Sequence, residues 1–155
     1  VSMQQAVSTA TGSHKGRPVG AELEVDDGRL VYEVELMTTD GEREVVVDAG
    51  DGKIVTGEDE EDEQTEGAVE DKNEDVEDED GEEEEGISSS SRSTISLGEA
   101  LKRALELRSG WAIEAELKRR DDRLAYFIDV RTQEDKRVAL RVDAVSGEVH
   151  VIRKP

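Results

Sequence analysis

The chain has 155 residues and a formal net charge of −21, from 41 acidic and 20 basic side chains, with no cysteine, one Trp, one Phe and two Tyr. Without cysteine there is no disulfide framework and no thiolate metal site, and no run of 18 apolar residues offers a bilayer span. The charge is unevenly placed: residues 1–57 carry −6, residues 58–85 carry −18 and residues 86–155 carry +3, so the flanks read as ordinary globular sequence and only the insert is extreme.

In chain order, Ser2 with Gln5 three residues on is a weak capping box, and Met3, Ala6, Val7 and Ala10 repeat at helical spacing before Gly12. The period then changes to two. Val19, Ala21, Leu23 and Val25 alternate, Asp27-Gly28 turns, and Leu30, Tyr32, Val34 and Leu36 alternate again, which predicts a hairpin. Turns at Asp40-Gly41 and Gly50-Asp51-Gly52 bound two further strands over 44–48 and 53–56. Residues 58–85 hold Val69 and Val76 as their only sizeable apolar side chains, too few to offset the entropy of ordering. With the Ser88–Ser91 run they are expected to form a flexible linker, 58–94.

The pattern then starts again. Ser96 and Glu99 form a stronger capping box, Leu97, Ala100, Leu101, Ala104, Leu105 and Arg108 follow helical spacing, and Gly110 offers a stop. Strands are expected over 112–119, 123–132, 137–144 and 148–153, turning at Asp121-Asp122, at 133–136 and at Ser146-Gly147. Sliding the sequence by 94 residues lays residues 1–43 on 95–137 without a gap and with 13 identities, among them Ala21/Ala115, Tyr32/Tyr126 and Gly16/Gly110. At an offset of 95, Val47-Asp48-Ala49 falls on Val142-Asp143-Ala144 and Gly52 on Gly147. The predicted fold class is α+β: two repeated lobes joined by a disordered acidic linker, each one helix on a four-stranded antiparallel meander, that either pack together or join their sheets.

The helix and meander, the aromatic second strand (Leu30-Val31-Tyr32-Glu33-Val34 and Leu124-Ala125-Tyr126-Phe127-Ile128) and the closing Asp48-Ala49-Gly50-Asp51-Gly52 and Asp143-Ala144-Val145-Ser146-Gly147 resemble tandem PepSY domains, found in metallopeptidase propeptides and YpeB-like proteins. The resemblance implies a first domain at 1–57 and a second at 95–155. It also implies a secreted, periplasmic or membrane-anchored module with no catalytic residues and a protein partner, such as a secreted metallopeptidase held by steric occlusion. The chain begins without Met, so an export signal or anchor is expected outside this fragment.

Read from the residues alone, no catalytic set assembles. His14 and His150 are the only histidines, and neither lies in an H-E-x-x-H array. No cofactor is expected, and no metal site beyond weak Ca²⁺ binding by the acidic segment, whose oxygens suit that ion but lack a fixed loop. This leaves a second reading, a cation-responsive or structural module of the cell envelope. Asp48 and Asp143 with the glycine four residues on read first as turns. Lys118, Arg119, Arg120 and Arg123, with Lys136, Arg137 and Arg141, make a basic surface on the second lobe, with Arg131 as a neighbour. That surface is merely solvated, docks an acidic partner, or attracts the acidic segment itself. Nucleic acid is not an expected partner, because the acidic segment repels phosphate. Trp111 either packs over the helix end or stands out as an anchor. Trp111, Asp121, Asp122 and Arg123 are the candidate partner-binding residues.

Overall fold

The computed structural model describes residues 1–55 and 94–152; the expected linker lies outside these apart from Thr94. The helical spacing of the sequence becomes α1 (Met3–Ser13) and α2 (Leu97–Leu107). The period-two segments become β1 (Arg17–Asp26), β2 (Arg29–Thr38), β3 (Gly41–Asp48), β4 (Trp111–Arg120), β5 (Arg123–Arg131), β6 (Arg137–Asp143) and β7 (Val149–Ile152). In the first half the segment after the third turn is a single bridge, Val47 to Ile54, and Thr56 falls outside the described residues.

All seven strands form one antiparallel sheet in the order β3-β2-β1-β4-β5-β6-β7. The halves meet where Gly20, Ala21 and Glu22 of β1 pair with Glu116, Ala115 and Glu114 of β4. Ala21 and Ala115 are equivalent residues of the two copies, so the seam lies on an approximate two-fold axis. Both helices cover the same face of the sheet, touch one another, and reach across the seam onto the other half's first strand. Arg17 also bonds across the halves, donating to Thr94 Oγ1 at 2.5 Å.

The core is shared. α1 contributes Met3, Ala6, Val7 and Ala10, and α2 contributes their equivalents Leu97, Ala100, Leu101 and Ala104, all buried. The alanines let helix and sheet approach closely around the seam, where Ala21 and Ala115 are also buried. Tyr32 and Tyr126 are core residues whose hydroxyls reach the chain just before each helix: Tyr126 donates to the Ile95 carbonyl at 2.8 Å and Tyr32 to that of Val1 at 3.3 Å. Buried hydroxyls of this kind need such a partner.

Three local readings change. The Ser2–Gln5 capping box is complete, with Ser2 N–H donating to Gln5 Oε1 at 2.8 Å and Gln5 N–H to Ser2 Oγ at 3.3 Å. The nominally stronger box at Ser96 is only half made, because Glu99 turns its carboxylate to Arg103, 2.9 Å away. A charged partner one turn along draws the carboxylate more strongly than a neutral backbone N–H does. The helices also do not stop at the expected glycines: α1 runs through Gly12, and α2 ends at Leu107 with Arg108 as an extended cap.

Gly110 answers a different constraint. A Cβ there would sit 2.3 Å from the Arg131 carbonyl oxygen, at φ +158, and one on its equivalent Gly16 would sit 3.0 to 3.1 Å from Leu36 Cβ and the Met37 carbonyl. Met37 and Arg131 are themselves equivalent, so both copies use a glycine to let the second strand pass. Gly110→Ala is expected to destabilise the protein by about 1–3 kcal/mol through overpacking, and Gly16→Ala by clearly less. Urea unfolding of the two variants checks this; equal losses would mean the close approach is not what the glycines serve.

Candidate functional site

With both helices on one face, the other face of the sheet is left without a covering layer among the described residues. Its side chains follow from the register. Where Tyr126, Ile128 and Val130 point to the helices, Ala125, Phe127, Asp129 and Arg131 point to the open side, and their partners do likewise.

On the first half this open face is acidic. Glu22, Glu24, Glu33, Glu35, Glu42 and Glu44 share it, and none of them is ion-paired among the described residues. Glu33 is pushed up from an ordinary 4.5 to about 7, first by sharing a proton with Glu24, then by burial and by the charges of Glu44, Glu24 and Asp26. Glu35 is also raised, first by burial and then by Glu42, Glu116, Glu44 and Glu22. It lies over Gly20, where any Cβ would come within 2.6 Å of its carboxylate.

Across the seam the sign changes. Glu116 and Glu114 are neutralised by Lys118 at 2.5 Å and Arg137 at 2.7 Å, and Arg137 also pairs with Asp129. Beyond them Arg120, Arg123 and Arg141 surround Phe127, Ala125 and Ile152 in a cavity of about 430 Å³. Asp121 lies at its lip. The Arg120 guanidinium stacks over the Phe127 ring at 4.9 Å, and none of the three arginines forms a salt bridge among the described residues, although the charge of Arg141 reaches Asp143 beside the cavity.

The candidate residues from the sequence separate into two places. Asp121 and Asp122 are the corner of the β4–β5 hairpin, at φ +49 and +59, a type I′ turn like Asp27-Gly28 at +45 and +78. Arg123 follows and lines the cavity. Trp111 is 58% exposed at the other end of β4, level with Arg131, about 30 Å away for a strand of this length. Arg131 is therefore no neighbour of Arg120; it pairs with Asp135 instead. Lys136 pairs with Glu134 at 2.6 Å.

Asp48 Oδ1 accepts from the N–H groups of Gly50 (2.7 Å) and Asp51 (3.1 Å), and Asp143 Oδ1 from Val145 (2.9 Å) and Ser146 (2.8 Å). Those bonds, led by the one from Ser146, and the charge of Arg141 hold Asp143 below its ordinary value. Both aspartates are turn residues. Among the described residues no group of His, Asp and Glu side chains is arranged to hold a metal ion, and the Ca²⁺ reading falls on residues outside them. No helix among the described residues is long and apolar enough to cross a membrane. The sequence did not reveal Phe127, Ile152 or the glutamates as site residues; Phe127 was legible only as the outward neighbour of Tyr126.

The family model for the peptidase propeptide and YPEB domain, PepSY, matches residues 1–58 and 94–149. No curated protein matches the chain. Among solved structures, a candidate lipoprotein from Clostridium difficile 630 is 22% identical with a TM-score of 0.46, covering 99% of this chain and 93% of its own. The YpmB protein from Bacillus subtilis is 17% identical with a TM-score of 0.38, covering 98% and 97%.

The raised Glu33 carries a pH dependence with a definite sign. A carboxyl that holds its proton more tightly when folded contributes stability that is complete below pH 4.5 and lost as pH rises through about 7. Glu33→Gln, a mimic of the protonated form, is therefore expected to match the wild type near pH 4.5 and to be the more stable protein at pH 8. Urea midpoints at the two pH values check this, and a difference independent of pH would refute it.

Proposed function

Because the chain belongs to the PepSY family of peptidase propeptide and YPEB domains, we propose that it is a non-enzymatic module that acts outside the cytoplasm by binding a protein partner, and that the partner is a secreted metallopeptidase restrained by steric occlusion. Residues 1–57 and 95–155 serve as its two domains in this reading, with 58–94 between them.

The observation that supports it is the open face of the sheet. Seven strands at about 4.8 Å spacing and some eight residues each span roughly 800 Å², the footprint one partner contributes to an interface of standard size. Its two signs of charge orient whatever lands there, since complementary fields steer encounter and suppress wrong poses. Occlusion requires no bond to break. The exposed Trp111 and the turn residues Asp121, Asp122 and Arg123, at opposite ends of β4, are the contacts proposed for the rim.

The test uses the whole chain, because the two halves share one sheet. Incubated at micromolar concentration with a panel of secreted metallopeptidases, it is expected to slow at least one of them, and Trp111→Ala to weaken that inhibition. Unchanged rates across the panel would overturn peptidase restraint.

A further inference from the structure

The two copies keep their helix-facing positions and exchange the character of several open-face positions, while Glu22/Glu116 and Glu35/Asp129 stay acidic in both. Ala21/Ala115, Leu23/Leu117, Tyr32/Tyr126, Val34/Ile128 and Val47/Val142 match in kind. On the other side Glu24 becomes Lys118, Asp26 becomes Arg120, Glu33 becomes Phe127 and Val46 becomes Arg141. Both members of each outward pair occupy the same place in the same fold, so the fold does not require the reversal. Arg120, Phe127 and Arg141 converge with Arg123 on one cavity, and none of the three guanidiniums forms a salt bridge among the described residues; with Asp121 in the lining and Asp143 within reach of the charge of Arg141, the arginines still outnumber the carboxylates there.

We infer that this cavity is a recognition site for an acidic peptide segment of a partner protein, in which carboxylates flank an aliphatic or aromatic side chain. Planar guanidiniums suit carboxylates because each offers two parallel N–H donors. Phe127, Ala125 and Ile152 supply an apolar floor, and about 430 Å³ holds a few side chains rather than a large cofactor. The acidic half of the same face and the net charge of −21 disfavour an extended polyphosphate, which would have to cross them. The inference rests on the protein-binding reading above but not on the partner being a peptidase: failure to bind acidic peptides leaves peptidase restraint untouched, and the reverse also holds.

The probe is a fluorescein-labelled peptide, Glu-Asp-Leu-Phe-Asp-Glu, titrated with the full chain by fluorescence anisotropy at low and high salt. Saturable binding is expected, weakened at least tenfold between 50 and 500 mM salt on screening grounds. The double variant Arg120→Gln, Arg141→Gln should bind at least tenfold more weakly while keeping the wild-type circular dichroism spectrum and urea midpoint, because both side chains are on the open face. Glu22→Gln, on the acidic half, should bind as tightly as the wild type or more so. Equal binding of the amide peptide Gln-Asn-Leu-Phe-Asn-Gln, unchanged binding by the double variant, or no binding at 100 μM would each overturn the proposal. So would tighter binding of a labelled oligothymidine, which would make the site one for polyphosphate. Binding that appears only after the acids of residues 58–85 are replaced by their amides would also overturn it, with the chain's own segment as the occupant.

Discussion

The three residue pairs that join β1 to β4 are the constraint on which the rest of the molecule depends. A lobe of under 60 residues buries too little apolar surface to be secure alone, and each would end on an unpaired strand. Pairing Ala21 with Ala115 closes both edges and merges two small cores into one. It also sets the sidedness: an antiparallel join about a two-fold axis carries both helices to the same face, so among the described residues no layer covers the other face. Larger residues at Ala21 and Ala115, or at the alanines of the helices above them, would hold the layers apart.

The join has an electrostatic cost. Glu22 stands directly opposite Glu33 on one side and Glu114 on the other, and like charges so placed in a sheet oppose one another. The molecule relieves part of this with Lys118 and Arg137 and part with a proton held by Glu33, while six glutamates keep no basic partner among the described residues. A face selected for stability alone would alternate its charges. Here those six glutamates gather on the first half, whereas on the second half basic side chains neutralise the acids among them.

Much of the fold was legible because its duplication made every weak signal appear twice. The helical spacing of Met3, Ala6, Val7 and Ala10 is slight alone, but it recurs at Leu97, Ala100, Leu101 and Ala104. What stayed hidden depends on tertiary partners. The seam is three pairs long and its residues are ordinary strand residues, so nothing local marks them as an interface. Gly110 follows a helix, which invites reading it as a stop, and its equivalent Gly16 carries no local signal at all, whereas the carbonyls that require both lie on the second strand of each copy. In Tyr126-Phe127 adjacent aromatics leave the inward residue open until the repeat aligns Tyr126 with Tyr32. Arg131 and Arg120 look close in a basic sequence, yet a hairpin carries them to opposite ends of the sheet.

The candidate site was legible in its charge and not in its shape. The run of Lys118, Arg119 and Arg120 announces a basic surface, but strand geometry sends Arg119 to the other face, Lys118 to Glu116, and only Arg120 to the cavity. Charge counting treats these three alike; register distinguishes them. The same register shows that the two copies agree where they face the core and differ at several open-face positions, Glu24/Lys118, Asp26/Arg120 and Glu33/Phe127 among them, while Glu22/Glu116 and Glu35/Asp129 stay acidic in both. Duplication with reversal thus makes a symmetric scaffold present an asymmetric surface, and the polarity of that surface, more than its net charge, governs what can lie across it.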